Sequence, residues 1–165
     1  MAKAGIQFNK NDEWYTPKEV VDYFGPFDYD PATTKEKAKE FKIRKYDTIK
    51  TDGLKRDWTK FKKIWVNPPF TRKFEFLKKA VHTVEDSTIG TEVYFLTPIE
   101  SLTTKAFHDI VWGGSYQIYL PNGRIKFDDG SGRKSSPAFG CVVLRFTNDG
   151  SWVYHWELVN EVKEQ

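Results

Sequence analysis

The sequence has very little cysteine and no long apolar run. Its single cysteine, Cys141, lies in an apolar segment, so no disulfide framework is expected and a reducing compartment is predicted. No apolar stretch approaches the length of a membrane-spanning helix, and the N-terminal residues lack a signal-peptide pattern. The three histidines show no metal-ligand spacing with Cys141, so no metal site is predicted. Disulfide-rich secreted proteins, membrane proteins and metal-centred modules are therefore disfavoured.

Charged and aromatic side chains are abundant instead. The chain has 165 residues, of which 30% are charged and 39% hydrophobic, which predicts one soluble domain with a true core. Aromatic residues make up 16%, and some of them could stack on bases, although most should pack in the core. The net charge is +3, but the charged residues are unevenly distributed along the chain. Residues 33–82 carry 16 basic and 6 acidic side chains. This segment fits a polyanionic partner, although residues 35–45 alone are typical of a solvated helix surface.

Helix and strand patterns alternate early in the chain, and strands cluster late. Residues 1–11 are expected to be a flexible tail and residues 12–165 one domain. The patterns predict helices at 17–24, 71–85 and 105–111, a helical or irregular segment at 33–45, and a mobile loop at 128–136. Strands are predicted at 27–30, 46–51, 64–66, 93–96, 116–120, 139–146 and 152–158. This order predicts an α/β fold with a mixed, mostly parallel sheet and helices on both faces.

A helix-start signal stands at Thr16-Pro17. Thr16 is predicted to be the N-cap, Pro17 the first helical residue, and Glu19 follows three positions after the cap. A hydroxyl at a helix N-terminus could also hold a carboxylate.

The stretch Ile64-Trp65-Val66-Asn67-Pro68-Pro69-Phe70 predicts a buried strand that ends at Asn67, because neither proline can donate to a sheet ladder. In open α/β sheets, ligands bind beyond the carboxyl ends of the strands. The Asn67 side-chain carbonyl and the Pro68 backbone carbonyl are acceptors, and Phe70 offers a flat apolar face. These groups suit adenine N6, whose lone pair would localise for attack on a sulfonium methyl if both hydrogens were accepted. A plain strand followed by a Pro-Pro turn is the alternative.

Two acidic residues in turns are further candidates. Asp30 follows an apolar strand and could bind an ammonium or ribose hydroxyls, although Asp-Pro is also a common turn. Asp52 precedes Gly53 and could accept a hydrogen bond from a purine amino group, or could form a plain Asp-Gly turn. The strand ends at Asp30, Asn67 and Thr97 are expected along one edge of the sheet.

Six basic side chains are candidates for contact with a nucleic acid backbone, with an ordinary solvated surface as the alternative. Arg72 and Lys73 directly follow Phe70. The other four follow a predicted turn or lie in the predicted loop, and these are Arg124, Lys126, Arg133 and Lys134.

Five short motifs occur in a defined order: Asp-Glu-Trp-Tyr-Thr-Pro, Phe-Asp-Tyr-Asp-Pro-Ala, Asp-Gly-Leu before Asp-Trp, Trp-Val-Asn-Pro-Pro-Phe, and Gly-Arg-Ile-Lys-Phe. From about Asp12 to Phe146 the chain therefore resembles the phage Dam-type DNA N6-adenine methyltransferases. The resemblance implies methyl transfer from S-adenosyl-L-methionine to adenine N6 in DNA. It also implies a Rossmann-like class I methyltransferase fold with one antiparallel strand near the C-terminus, and action in the cytoplasm of a phage host. A monomer is assumed.

The resemblance also implies site residues. Asn67, Pro68, Pro69 and Phe70 would form the catalytic tetrad. The cofactor would contact the segment Trp14, Tyr15, Thr16 and Pro17, the strand end Asp30 and Pro31, and Asp52 or Asp57. The chain departs from the common methyltransferase pattern after Asp30, where Ala32-Thr33-Thr34 replaces a Gly-x-Gly loop. Only residues 99–136 remain for target recognition, which predicts a short recognition site or relaxed specificity.

Two other functions stay open at this point. An Asn-Pro-Pro-aromatic motif also suits methylation of an RNA adenine or a protein glutamine. A catalytically inactive, nucleic-acid-binding protein could keep the same fold.

Overall fold

A computed structural model describes residues 14–111, 114, 116–128, 133–135, 139–149 and 157–159. The predicted tail at 1–11, residues 129–132 and 136 of the predicted loop and residues 152–156 of the last predicted strand lie outside the described residues. No helix in the described part of the chain has both the length and the apolar character that a bilayer span needs.

Nine strands are described in chain order: β1 (Tyr29–Asp30), β2 (Lys45–Tyr46), β3 (Lys63–Val66), β4 (Glu92–Pro98), β5 (Tyr116–Pro121), β6 (Phe127–Asp128), β7 (Lys134–Ser135), β8 (Cys141–Phe146) and β9 (Glu157–Val159). Seven of them form one sheet in the order β2-β1-β3-β4-β8-β5-β9, and β6 and β7 form a separate antiparallel hairpin. Strands β2, β1, β3 and β4 are parallel, whereas β8 runs antiparallel to β4 and β5. The mixed, mostly parallel sheet with one reversed strand near the C-terminus is therefore confirmed.

The helices are α1 (Lys18–Phe24), α2 (Lys35–Glu40), α3 (Lys73–Asp86) and α4 (Lys105–Val111). Strand β3 shows why both faces of the sheet are covered. Ile64 and Val66 pack in a core with the buried face of α3, whereas Trp65 packs on the other side with Val21 and Phe24 of α1. Side chains alternate along a strand, so a continuous apolar run must be buried on both faces.

Three local predictions were wrong. The strand predicted at 46–51 is shorter, because the Thr48 amide donates to Thr51 Oγ1 at 2.9 Å and closes a turn that competes with the ladder. Residues 128–136 are not all loop, since Asp128 pairs with Lys134 in the hairpin. Thr16 does not cap α1: the helix begins at Lys18 after Pro17, and no side chain caps it. The Thr16 hydroxyl is used by the site described next.

Candidate active site

The carboxyl ends of β1, β3 and β4 meet at one edge of the sheet. In the parallel register, Tyr29 lies opposite Ile64 and Val66 lies opposite Phe95, so Asp30, Asn67 and Thr97 follow along that edge as predicted. A cavity of about 250 Å³ opens there. Its lining comes from four parts of the chain: residues 14–16, the loop 31–34 with α2, the loop 48–53, and the segment from Asn67 to Phe76 of α3.

Asn67, in the lining of this cavity, is held in one orientation. Its Nδ2 donates to the Trp14 carbonyl at 2.7 Å and to Thr16 Oγ1 at 3.1 Å. Because a carbonyl oxygen can only accept, the atom that faces Trp14 must be the nitrogen. The two contacts use both N–H groups of Nδ2, so Oδ1 is the side-chain acceptor that remains for a ligand.

Residues 14–16, which we call the strap, are themselves anchored from the C-terminal half of the chain. Tyr15 and Asp128 exchange two backbone hydrogen bonds of 3.1 Å, and the Trp14 ring packs edge-on against Phe127 with centroids 6.2 Å apart. Thr16 is only 2% exposed. The strap is thus held between the β6–β7 hairpin and the end of β3.

The residues after Asn67 complete this side of the cavity. Pro68 is buried, and Phe70 begins a single helical turn, Phe70–Arg72, that leads into α3. The Phe70 ring stands perpendicular to Phe139, with centroids 5.2 Å apart. All four residues of Asn67-Pro68-Pro69-Phe70 line the cavity. The structure therefore places together the residues that the motif predicted.

Asp30 does not line the cavity. It is 2% exposed, and its Oδ1 accepts from the Ala32 amide at 3.0 Å, so it shapes the loop that follows β1. Burial raises the pKa of Asp30 to about 7, although hydrogen bonds from Ala32 and Thr33 oppose the rise. The Asp30 side chain therefore fixes the loop after β1, which lacks a Gly-x-Gly pattern.

Asp47, which sequence reasoning did not single out, is buried just after β2. It accepts from the Tyr29 hydroxyl at 2.7 Å and from Arg56 Nη2 at 3.0 Å. The Arg56 guanidinium beside it holds the pKa of Asp47 below its usual range. The strand predicted at 46–51 would place Asp47 inside it, so the position of Asp47 after β2 and its partners are visible only in the fold.

Gly53 explains why an Asp-Gly pair follows β2. A Cβ at Gly53 would stand 2.1 Å from the Pro31 carbonyl oxygen, so only glycine allows the two loops to approach this closely. The Gly53 carbonyl also accepts from Trp58 Nε1 at 2.8 Å. These contacts bring Asp52, in a left-handed backbone conformation, to the cavity.

The structure separates the two candidates Asp52 and Asp57. Asp52 lines the cavity, where its Oδ1 lies 3.4 Å from Arg72 Nη1. Asp57 is exposed and accepts from the Thr59 amide at 3.0 Å, as the cap of a helical turn outside the cavity lining. Asp52 is therefore the acidic residue available to a ligand.

Lys37 and Ile49 line the cavity although sequence reasoning missed both. The Lys37 side chain is only 18% exposed, and its Nζ lies 5.3 Å above the Tyr15 ring and 2.9 Å from Glu40. Ile49 is 92% exposed on the turn after β2. Lys37 was assigned to a solvated helix surface, and in a helix of six residues the periodicity is too short to identify its inner face.

Of the six basic residues predicted to contact nucleic acid, Arg72 alone lines the cavity. Arg72 lines the cavity and is already paired with Asp52 and, through Nε at 3.2 Å, with Glu75. Lys73 lies outside the lining, with its Nζ 5.2 Å from the Phe74 ring centroid. The remaining four are exposed around the hairpin: Arg124, Lys126, Arg133 and Lys134.

Cofactor candidates are divided in the same way. Trp14, Tyr15, Thr16, Pro31 and Asp52 line the cavity, whereas Pro17, Asp30 and Asp57 do not. No group of three or more His, Cys, Asp or Glu side chains in the described ranges is arranged to hold a metal ion.

Two solved structures align with most of this chain. A Listeria monocytogenes protein, proposed to be a class I S-adenosylmethionine-dependent methyltransferase, aligns with 74% of this chain and 43% of its own at 14% identity and a TM-score of 0.42. An Agrobacterium tumefaciens protein, predicted to be an O-methyltransferase, aligns with 80% of this chain and 65% of its own at 13% identity and a TM-score of 0.41. At these scores the fold assignment rests on the strand order described above.

The sequence comparisons are more specific. The DNA N-6-adenine-methyltransferase of Escherichia phage T1 is 34% identical over 96 residues, which are 56% of this chain and 38% of the phage T1 protein. The chain thus spans well under half the length of that relative. The DNA N-6-adenine-methyltransferase (Dam) family matches residues 3–153, nearly the whole chain. On that match, the chain belongs to the DNA N-6-adenine-methyltransferase family.

Proposed function

We propose that this protein transfers a methyl group from S-adenosylmethionine to the N6 amino group of adenine in DNA. The observation that supports it best is the orientation of Asn67, whose Nδ2 is fixed by Trp14 and Thr16. An asparagine held this way presents an acceptor, and an acceptor is what an amino group needs. Action on DNA would place the protein in the cytoplasm of a phage host.

The chain's own residues would act on the target base as follows. Asn67 Oδ1 and the Pro68 carbonyl accept the two N6 hydrogens, which localises the nitrogen lone pair, and Phe70 stacks on the ring. Bound S-adenosylmethionine supplies an electrophilic methyl group. N6 would take that methyl group while the sulfur departs as a thioether, and N6 would then lose one proton to water. The preorganised acceptors stabilise the positive charge that develops on N6 before that proton leaves.

The cavity suits the chemistry of the cofactor. Lys37 offers an ammonium for the methionine carboxylate, and Asp52 offers an acceptor for ribose hydroxyls or the adenine amino group. Apolar surfaces for the nucleoside come from Pro31, Phe41 and Ile49. The Lys37 ammonium would thus meet the carboxylate at the methionine end, and Asp52 and the apolar wall would meet the nucleoside end.

DNA is favoured over the alternatives by family membership, since the family is that of DNA adenine methyltransferases. The target base would leave the duplex to reach Asn67, because a stacked base cannot enter a cavity. Of the range 99–136, residues 105–111 form a helix that packs on α3, and residues 116–121 form a strand of the sheet. Target recognition would therefore fall on the segment after β5, which includes the hairpin.

Tritiated methyl transfer tests the proposal directly. The wild type and Asn67→Ala would be incubated with labelled S-adenosylmethionine and, in turn, duplex DNA, single-stranded DNA, RNA and protein. We expect label in adenine-containing DNA with the wild type, and little with Asn67→Ala. Label in RNA or protein alone would show that the substrate is RNA or protein rather than DNA. No transfer with any substrate, despite cofactor binding by calorimetry, would support an inactive binding protein.

A further inference from the structure

We propose that Thr16 is a positioning residue that fixes the amide of Asn67, rather than a ligand of the cofactor. This inference rests on the proposed function. It assigns to Thr16 a role in turnover that acts through Asn67 and leaves cofactor affinity nearly unchanged.

The need for such a residue follows from the chemistry of an asparagine side chain. Its oxygen and nitrogen ends are nearly the same size, and the terminal torsion is broad, so packing alone selects poorly between the two orientations. If the amide turned over, Nδ2 would face the N6 amino group of the target, donor against donor. Acceptors on the opposite side must therefore hold Nδ2 in place.

Thr16 and the Trp14 carbonyl are those acceptors. Thr16 Oγ1 lies 3.1 Å from Asn67 Nδ2, and the Trp14 oxygen lies 2.7 Å from the same atom. Thr16 also contributes no cap to α1, which begins at Lys18 without a side-chain hydrogen bond. Its hydroxyl is therefore available to Asn67, although a helix start is where such a hydroxyl would ordinarily bond the backbone.

The two acceptors are held at fixed positions. Between them, Tyr15 is joined to Asp128 by two backbone hydrogen bonds of 3.1 Å. Thr16 is 2% exposed, and the Trp14 ring packs on Phe127. Because the strap cannot shift without breaking these contacts, its acceptors define the direction in which Asn67 Oδ1 points.

A pair of substitutions at one position tests the role. Thr16→Val keeps the shape but removes the acceptor, and Thr16→Ser keeps the acceptor. We expect Thr16→Val to lower kcat at saturating cofactor by about 10-fold to 100-fold, the scale of a misaligned reacting group. The dissociation constant for S-adenosylmethionine, measured by calorimetry, should stay within a few-fold, and Thr16→Ser should restore turnover. A raised dissociation constant with unchanged kcat would show that Thr16 binds the cofactor and would overturn the inference.

A second readout is independent of activity. The side-chain amide signals of Asn67 in a ¹⁵N spectrum should shift and exchange faster in Thr16→Val than in the wild type or Thr16→Ser. In a double-mutant cycle with Asn67→Ala, the stability losses should be non-additive. Unchanged amide signals and additive losses would overturn the inference even if methyl transfer is intact. Absence of methyl transfer by the wild type would instead refute the proposed function, whatever the amide signals show.

Discussion

The two sides of the cavity are built in different ways. On one side, which we call the strap wall, Asn67 bonds to Trp14 and Thr16, residues 53 and 51 positions away. On the other, the loop wall of residues 30–34 and 47–54, two carboxylates accept from amides two residues later, as Asp30 does from Ala32 and Asp52 from Leu54. The strap wall thus depends on a long-range contact to Asn67, and the loop wall on local turns that are joined by the close approach of Gly53 to Pro31. Substitutions in the first should change turnover, and those in the second should change stability.

The largest effect should come from Asn67→Ala in the strap wall. Loss of one preorganised group that stabilises developing charge costs about 2.7–4 kcal/mol in activation free energy, or roughly 10²–10³ in kcat. The free energy of unfolding should fall by only about 1 kcal/mol, because the lost hydrogen bonds are partly exposed. Single-turnover kinetics and urea unfolding measure the two quantities. A variant that keeps more than about a tenth of wild-type kcat would remove Asn67 from this role.

Gly53→Ala, in the loop wall, should instead have its main effect on the free energy of unfolding. Its Cβ would overlap the Pro31 carbonyl, so the loops must separate, and we expect a loss of roughly 2–3 kcal/mol in the free energy of unfolding. The loss of cofactor affinity should accompany it, since both loops line the cavity. Gly140→Ala is the matched control, because its Cβ would meet only Ile99 Cγ2 at 4.0 Å. Equal stability of the two variants would show that the loop contact is not tight.

What the sequence could predict follows the same division. The end of β3 was predictable because Pro68 and Pro69 cannot donate to a ladder, and that is a local property. The contact of Asn67 with Thr16 was not predictable, since it joins segments that only the sheet brings together. A local helix-start pattern instead predicted Thr16 to be a cap.

Asp52 and Asp57 show where local reasoning cannot decide. Both carboxylates accept from the amide two residues later, Leu54 at 3.3 Å and Thr59 at 3.0 Å, so their local turns look alike. Only the approach of Gly53 to Pro31 brings one of them to the cavity. Asp30 ends β1 and Asp47 directly follows β2, yet their surroundings differ. Burial raises the pKa of Asp30, whereas the Arg56 guanidinium lowers the pKa of Asp47.

Asp47→Asn should lower the free energy of unfolding at neutral pH. The lowered pKa of Asp47 means that its contribution is present above the unfolded pKa, near 3.8, and is lost as pH falls through the folded pKa. We expect the variant to lose about 2 kcal/mol at pH 7, the scale of a hydrogen bond to a charged group. The difference from the wild type should shrink under acid conditions. Urea unfolding at several pH values would contradict this if the difference stayed constant.

Asp30→Asn should instead raise the free energy of unfolding, and by a smaller amount. Burial raises the pKa of Asp30 to about 7 from 3.8, so the wild type should lose stability as pH rises across that range. Asparagine keeps an acceptor for the Ala32 amide without a charge, and the variant should not show this loss. We expect it to be more stable than the wild type by about 1 kcal/mol at pH 8. A variant less stable at pH 8 than at pH 5, in parallel with the wild type, would assign the pH dependence to other groups.

The smallest effects should come from substitutions of single basic side chains. They test whether DNA phosphates contact the cavity or the hairpin. Affinity for DNA should fall as salt rises, with a slope set by the number of phosphates neutralised. Lys126→Ala, just before the hairpin, and Lys134→Ala, within it, remove exposed charges and should each flatten that slope by about one unit. Arg72→Ala should flatten it less, because Asp52 and Glu75 already neutralise the guanidinium. Lys62→Ala, exposed at the amino end of β3 and thus at the opposite edge of the sheet, is the control and should leave the slope unchanged. If Arg72→Ala produced the larger change, DNA would be displacing the ion pairs of Arg72, and the phosphate contact would lie at the cavity mouth rather than on the hairpin.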